Sequence, residues 1–279
     1  MFHNPAKKND IFSNDYRRLA YDEILANLLV LLEARKNIKT KIKERKIYSN
    51  IYSNIIKKNF PFELTNDQKK VLKELDEDIR SKARMFRLLQ GDVGSGKTIL
   101  AFISAANIIE SKYQVALMAP TEVLASQHYD LANKLFSNTP IKIELLTGKT
   151  KPSNKKKIIE NIKNGKTNLL IGTHALFQKK IHFLKLGFII IDEQHKFGVK
   201  QRISLAKKGG NNCDILSMSA TPIPRTMMLS FFGDMDLSLL NEKPKKRKNI
   251  ITLLKPESKI SEIIPLIKKQ ISMNNQIFW

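Results

Sequence analysis

The segment GDVGSGKT has the spacing G-x-x-x-x-G-K-[ST] of a phosphate-binding loop. Its glycines allow backbone N–H groups to curl around phosphate oxygens, and the start of a following helix favours anions. In such loops the lysine holds the β and γ phosphates and the final hydroxyl ligates Mg²⁺. The predicted nucleotide-binding residues in this loop are Gly91, Asp92, Val93, Gly94, Ser95, Gly96, Lys97 and Thr98.

A second candidate site lies in IIIDEQHKFGVKQR, where Asp192 and Glu193 follow three branched apolar residues. One interpretation is a buried strand whose polar turn carries two acids. With a phosphate loop elsewhere in the chain, an acid at a strand tip completes a magnesium site, so we predict Asp192 and Thr98 as Mg²⁺ ligands. Glu193 becomes the candidate base that orients and deprotonates the attacking water. His195 has no His or Cys partner at metal-ligand spacing, which favours a hydrogen-bonding relay over a metal ligand or a structural histidine. The predicted catalytic residues are Lys97, Asp192, Glu193 and His195.

The elements that must position these residues alternate between short apolar runs and longer helical patterns from about residue 60 to 240. The predicted strands cover residues 86–89, 114–118, 141–146, 168–172, 188–191 and 214–218. Strands that alternate with helices predict an α/β fold with a parallel, doubly wound sheet covered on both faces. Ligands of such sheets bind at the carboxyl ends of the strands, so both motifs should lie at one edge.

The flanking regions have different patterns. Residues 15–47 carry apolar residues at helical spacing and then a basic stretch, which predicts one long amphipathic helix. Its basic end has two interpretations, a solvated face or a DNA contact, and we favour the solvated face. Thr65, with Gln68 three positions later, predicts a helix start with a capping box. Beyond a basic linker, a helix is predicted over residues 259–272, followed by a strand in NQIFW.

Composition limits the classes of partner. The chain of 279 residues has a formal net charge of +23, which favours a polyanionic partner, nucleic acid before a membrane surface. We find no apolar run of membrane-spanning length and no secretion signal, so we expect a cytoplasmic location without membrane association. The single cysteine, Cys213, argues against an internal disulfide framework or a cysteine-based zinc site.

The motifs together resemble a known family. The phosphate loop, DEQH and SATPIPRT are similar to those of superfamily 2 helicases of the DExH type. More closely, PFELTNDQ, APTEVLASQHY, IGTHAL, IIIDEQHKFGVKQR and SATPIPRTMMLSFFGDMDLS resemble the RecG family of branched-DNA helicases, in the same order. The resemblance runs from about residue 15 to the last residue. It implies ATP and Mg²⁺ as cofactors, branched or forked DNA as partner, a monomeric parent protein, and a bacterial, nucleoid-associated location.

The resemblance also implies domains and residue roles. It implies a helical linker over 1–58, a RecA-like P-loop domain over 59–242, and over 243–279 a linker with the truncated start of a second RecA-like domain. Gln68 matches the position that reads adenine in related helicases. The positions that match the DNA track are Pro120, Thr121, Thr147, Gly148, Thr173 and His174. The motif that couples ATP state to DNA grip is Ser219, Ala220 and Thr221.

Departures from the family pattern leave alternatives open. We find no counterpart of the family's wedge domain or of most of the second RecA-like domain, and Lys196 stands where the family has arginine. The chain is therefore expected either to belong to an ATP-dependent DNA helicase that remodels forks, or to be a fragment that binds ATP and DNA without appreciable turnover. A transcription-repair coupling or primosomal translocase is a further alternative, and a P-loop kinase for small molecules is a remote one.

Overall fold

The computed structural model describes residues 14–39, 42–177, 180–193, 210, 212–221, 235–242, 252, 254 and 256–278. The chain divides into two units, Met1–Pro244 and Lys245–Trp279. Among the described residues, no helix combines the length and apolar character needed to cross a bilayer.

The first unit is built on a parallel sheet. Its strands are β1 (Phe86–Gly91), β2 (Gln114–Met118), β3 (Ile143–Leu146), β4 (Leu169–Gly172), β5 (Leu186–Ile191), β6 (Asp214–Ser219) and β7 (Asp236–Leu240). They pair in the order β3-β4-β2-β5-β6-β1-β7, and every pairing is parallel. Each of the six predicted apolar runs coincides with one strand, and the predicted parallel sheet is confirmed.

Helices cover the sheet on both faces. The helices of this unit are α1 (Asn14–Lys39), α2 (Ile51–Asn59), α3 (Asn66–Arg80), α4 (Lys97–Glu110), α5 (Glu122–Leu135) and α6 (Pro152–Lys163). Alternate strand residues point to opposite sides, so Val115 and Leu117 join one core with α2 to α5. Ala116 and Met118 join a second core with α6 and the 3-10 turn His174–Phe177. The doubly wound arrangement is thereby confirmed.

The predicted helix over residues 15–47 is wrong for residues 42–47. Residues 43–49 have no helical structure, and the side chains of Lys43 and Lys46 are fully buried, with both Nζ atoms 2.7 Å from carboxylate oxygens of Asp214. The interpretation of the basic end as a solvated face is therefore wrong for these two lysines. Ion pairs with a residue far along the chain outweigh the local helical pattern here.

The second unit contains helix α7, Ile260–Ser272, which confirms the helix predicted over residues 259–272. A 3-10 turn, Glu257–Lys259, precedes it. The strand predicted in NQIFW is not formed in residues 275–278, the part of that segment that the structure describes.

Candidate active site

The phosphate loop connects the end of β1 to the first residue of α4, as its motif requires. Gly94 and Gly96 have φ angles of 79° and 89°, in the left-handed region that favours glycine. Space matters as well at Gly96, where a Cβ atom would lie 2.3 Å from the side-chain nitrogen of Gln68. Both the backbone angle and the space beside Gln68 therefore favour glycine at this position.

Lys97 is buried in the loop and points back towards it. Its Nζ donates hydrogen bonds to the carbonyl oxygens of Gly91 at 2.6 Å and Asp92 at 2.9 Å. Burial lowers the pKa of the Lys97 ammonium, while the carboxylates of Glu193, Asp192 and Asp92 act in the opposite direction. The ammonium is thus held where phosphate oxygens would replace its two carbonyl partners.

Two hydroxyls accompany Lys97 in the loop. The Oγ atom of Ser95 is buried and has no hydrogen-bond partner among the described residues, so a phosphate oxygen could supply one. Thr98 is half-buried in the first turn of α4. Thr98 supplies the hydroxyl that the loop motif requires, and Ser95 adds a second one.

Gln68 fixes the start of α3 against the phosphate loop. The predicted capping box is confirmed, because Gln68 N donates to Thr65 Oγ1 at 3.3 Å and Thr65 N donates to Gln68 Oε1 at 2.9 Å. Its Nε2 donates to Ser95 O at 2.8 Å, and the side chain is buried. Gln68 therefore lies beside the nucleotide loop, and its role in adenine recognition stays a prediction.

Asp192 and Glu193 lie directly after the last residue of β5. Asp192 is only 8% exposed, and each carboxylate oxygen accepts one hydrogen bond, Oδ1 from Glu193 N at 3.1 Å and Oδ2 from His128 Nε2 at 2.8 Å. Glu193 has a φ of 49°, a conformation that costs a non-glycine residue about 1–2 kcal/mol. Such strain concentrates at functional sites.

His128 is the residue of this site that the sequence analysis missed. It is buried on α5, and its ring packs edge-on against Phe102 with centroids 6.5 Å apart. A signal was available, because Ala125, His128, Ala132 and Leu135 all lie on the buried face of that helix. A histidine among small apolar residues at helical spacing indicates a buried polar partner.

A magnesium site can be assembled only with help from the nucleotide. Within the described residues, no group of three His, Cys, Asp or Glu side chains could hold a metal ion. Mg²⁺ is commonly bound by one or two protein oxygens together with substrate phosphates and water. The Asp192 carboxylate keeps lone pairs beyond its two hydrogen bonds, so Asp192 and Thr98 fit that role.

The residues predicted to couple ATP state to DNA grip lie beside the phosphate loop. Ser219 ends β6, and its Oγ is 3.0 Å from Thr221 Oγ1. Ala220 lines a cavity of about 160 Å³ together with Gly91 and Asp92. The structure therefore brings this motif next to the start of the phosphate loop.

The predicted DNA-binding residues follow the ends of three other strands. Thr121, after Pro120, caps α5 by accepting a hydrogen bond from Leu124 N at 3.2 Å. Glu122 accepts one from Lys149 N at 3.2 Å, which ties the Thr147–Gly148 loop to the first turn of α5. Thr173 N donates to Leu146 O at 3.4 Å, and His174 begins the following 3-10 turn. Of the predicted site residues, His195 lies outside the described residues.

Strand order divides this edge of the sheet into two halves. The candidate nucleotide residues follow β5, β6 and β1, which are adjacent, and the candidate DNA residues follow β3, β4 and β2, which are also adjacent. The halves meet where β2 pairs with β5, and Asp192 N donates to Met118 O at 2.8 Å across that boundary. Neighbouring strands lie about 4.8 Å apart, so the two sets form one continuous surface.

The proteins of known family that this chain resembles are helicases. The family model described as DEAD/DEAH box helicase matches residues 65–229. The chain is 43% identical to the ATP-dependent DNA helicase RecG of Aquifex aeolicus, over 94% of this chain and 33% of that protein. It is 41% identical to RecG of Bacillus subtilis, over 94% of this chain and 38% of that protein.

A solved structure described as RecG bound to a three-way DNA junction is also similar. It matches with a TM-score of 0.82 and 39% identity, over 93% of this chain and 35% of that chain. The present chain thus spans about a third of the length of the relatives it matches.

Proposed function

Because this chain belongs to the DEAD/DEAH box helicase family, we propose that it forms the ATP-binding motor domain of a RecG-type DNA helicase that remodels branched DNA. The observation that carries the proposal is the meeting of Lys97 with Asp192 and Glu193 at one edge of a parallel sheet. The carboxylates of Glu193 and Asp192 both act to raise the pKa of the Lys97 ammonium, and β5 and β1 end at the same edge of the parallel sheet, which supports a single site. The junction-bound RecG structure supports branched DNA as the partner.

In the proposed mechanism, the phosphates of ATP bind in the loop between β1 and α4. Lys97 Nζ leaves the carbonyl oxygens of Gly91 and Asp92 and contacts the β and γ phosphates. Asp192 and Thr98 would hold Mg²⁺, which would supply positive charge to neutralise the phosphate oxygens. Gln68 contacts the adenine through the side-chain N–H that its bond to Ser95 leaves free.

Glu193 acts on the attacking water. Its backbone leaves the extended course of β5 with a φ of 49°, and its carboxylate acts to raise the pKa of the Lys97 ammonium. A carboxylate in this position orients the water and accepts its proton. As the water oxygen bonds to the γ phosphorus, the bond from that phosphorus to the β–γ bridging oxygen breaks and ADP leaves. Ser219 and Thr221 lie beside the start of the loop and transmit its nucleotide state to the DNA-facing half of the sheet edge.

DNA binds, in this proposal, across the ends of β2, β3 and β4. Hydroxyls and backbone amides at helix starts suit phosphate contacts that do not read base sequence. The net charge of +23 adds attraction that does not depend on sequence either. Binding is therefore expected to be largely sequence-independent and to weaken steeply with salt.

The experiment measures ATP hydrolysis by the 279-residue chain with and without forked DNA, together with DNA binding at fixed salt. A helicase motor gives DNA-stimulated hydrolysis that Lys97→Ala abolishes and that Lys134→Ala, at an exposed position of α5, leaves unchanged. Binding of both ATP and DNA without turnover supports the second candidate, a binding module that needs the remainder of a longer helicase. A chain that binds neither ATP nor forked DNA contradicts both.

A further inference from the structure

Helix α5 touches both halves of the sheet edge. In its first turn, Glu122 holds the loop at Gly148 and Lys149, within the candidate DNA surface. Two turns later His128 reaches Asp192, in the candidate nucleotide site. One rigid helix therefore presents side chains to both sites, and His128 is its contact with the metal-ligating group.

The contact between His128 and Asp192 is buried on both sides. Each residue is 8% exposed, and the Nε2 to Oδ2 distance is 2.8 Å. An ionised carboxylate only accepts hydrogen bonds, so Nε2 carries the proton. The ring is held from the side by Phe102, which leaves it little freedom to turn away.

This geometry restricts the orientation of the carboxylate. Glu193 N holds Oδ1, and His128 holds Oδ2, so both oxygens of Asp192 are fixed by donors on different elements. Without the imidazole, the backbone bond from Glu193 would be the one bond left to this carboxylate from the part of the chain that the structure describes, and the carboxylate could rotate about its last side-chain bond. A ligand that rotates freely loses part of its affinity for a cation that demands near-ideal geometry.

We propose that His128 is a positioning residue that holds Asp192 in the orientation required to ligate Mg²⁺ with the nucleotide. The proposal rests on the function proposed above, since it requires a magnesium-dependent nucleotide site. In this role His128 acts through its hydrogen bond to Asp192. Removal of a hydrogen-bond donor behind a metal ligand typically costs about 10–100-fold in metal affinity.

Substitutions at His128 can separate a positioning role from a packing role. His128→Phe keeps an aromatic ring against Phe102 and removes the donor, whereas His128→Gln keeps an N–H donor at a similar distance from the backbone. His182→Phe makes the same replacement at an exposed histidine and is the matched control. His128→Leu removes the donor with a smaller side chain, in case phenylalanine overpacks the site.

The measurement is the affinity of the full 279-residue chain for a fluorescent ATP analogue, with MgCl₂ varied and with EDTA. For His128→Phe and His128→Leu, the Mg²⁺ concentration that produces half of the maximal gain in nucleotide affinity should rise about 10–100-fold. Affinity in EDTA should stay within about twofold of wild type, since the phosphate loop itself is unchanged. His128→Gln should recover most of the loss, and thermal unfolding midpoints should show that the variants are folded.

Two failures can be told apart. If the wild-type chain binds no nucleotide, the proposed function itself is contradicted. If the wild-type chain shows magnesium-dependent binding and both donor-free variants match it, only the role of His128 is overturned. An equal loss of affinity in EDTA and in Mg²⁺ would likewise overturn positioning, because it would indicate damage to the loop.

Discussion

Replacement of Asp214 by asparagine should destabilise the sheet strongly. The Asp214 side chain is fully buried and accepts hydrogen bonds from Lys43 Nζ, Lys46 Nζ and Met85 N at 2.7–2.8 Å. Asp214→Asn leaves two buried ammonium groups without that counter-charge. Loss of one partner of a buried ion pair typically costs about 3–5 kcal/mol. We expect a loss in this range, a large part of the 5–15 kcal/mol by which domains are typically stable.

The pH dependence of this loss has a definite sign. Burial lowers the pKa of Lys43 even with Asp214 beside it, and removal of the carboxylate lowers that pKa further. Between the folded and unfolded pKa values the unfolded chain binds more protons, so stability rises with pH up to the unfolded value. The window is wider in Asp214→Asn, so its deficit in unfolding free energy relative to wild type should narrow as the pH rises towards the pKa of lysine in the unfolded chain.

Urea denaturation monitored by circular dichroism measures both effects. Asp214→Asn should move the midpoint to lower urea with little change of slope, because the surface exposed on unfolding is almost the same. Asp130→Asn, the same exchange at an exposed position of α5, should stay within about 0.5 kcal/mol. A free energy of unfolding for Asp214→Asn within about 1 kcal/mol of wild type would refute this interpretation of the buried cluster.

Three further predictions concern the loop, the thiol and the basic helix. Gly96→Ala should weaken ATP-analogue binding at least about tenfold by fluorescence titration, since its Cβ would meet Gln68. Gly210→Ala, at a φ of 61° and with no atom of the described residues within 4 Å of its Cβ, should leave that affinity unchanged. Cys213 is buried, and burial raises the pKa of its thiol to about 12. A thiol reagent at neutral pH should therefore modify the folded chain far more slowly than the urea-unfolded chain. Equal rates of modification would contradict this burial. The basic surface of α6 carries the exposed lysines Lys156, Lys157 and Lys163. If DNA contacts this surface, replacing all three by glutamine should reduce the slope of log binding constant against log salt concentration for duplex DNA by about 1 to 3. An unchanged slope would exclude this contact. The control replaces three exposed lysines of α3, where acidic neighbours offset the positive charge, by glutamine. These are Lys69, Lys70 and Lys73.

Sequence alone predicted the features that depend on local pattern. Buried parallel strands are apolar throughout, so runs such as QVALM indicated β2 directly. The phosphate loop and the capping box of Thr65 and Gln68 follow from fixed spacings of residue types. Strand β7 was missed because it lies at the sheet edge, where Leu237 and Leu239 are partly exposed and the pattern alternates with polar residues.

The remaining features depend on partners that are distant in sequence. Lys43 and Lys46 belong to a basic stretch that normally indicates a solvated surface, and their burial requires Asp214, 171 and 168 positions later. His128 lies 64 positions before Asp192, and only the pairing of β2 with β5 brings them together. Local spacing can indicate that a residue such as His128 is buried, but it does not identify the distant partner, so the functional consequences of these contacts became visible only in the folded chain.

The most direct test of the central claim, that Lys97 and Asp192 form one magnesium-nucleotide site, is calorimetric titration of a non-hydrolysable ATP analogue with Mg²⁺ into the purified chain. Wild type should bind at one site per chain, and Lys97→Ala should lose most of that affinity. Asp192→Asn should bind the ATP analogue with wild-type affinity in EDTA, but added Mg²⁺ should increase that affinity only slightly. Equal binding by wild type and Lys97→Ala, or an undiminished effect of Mg²⁺ in Asp192→Asn, would contradict the site proposed for this chain.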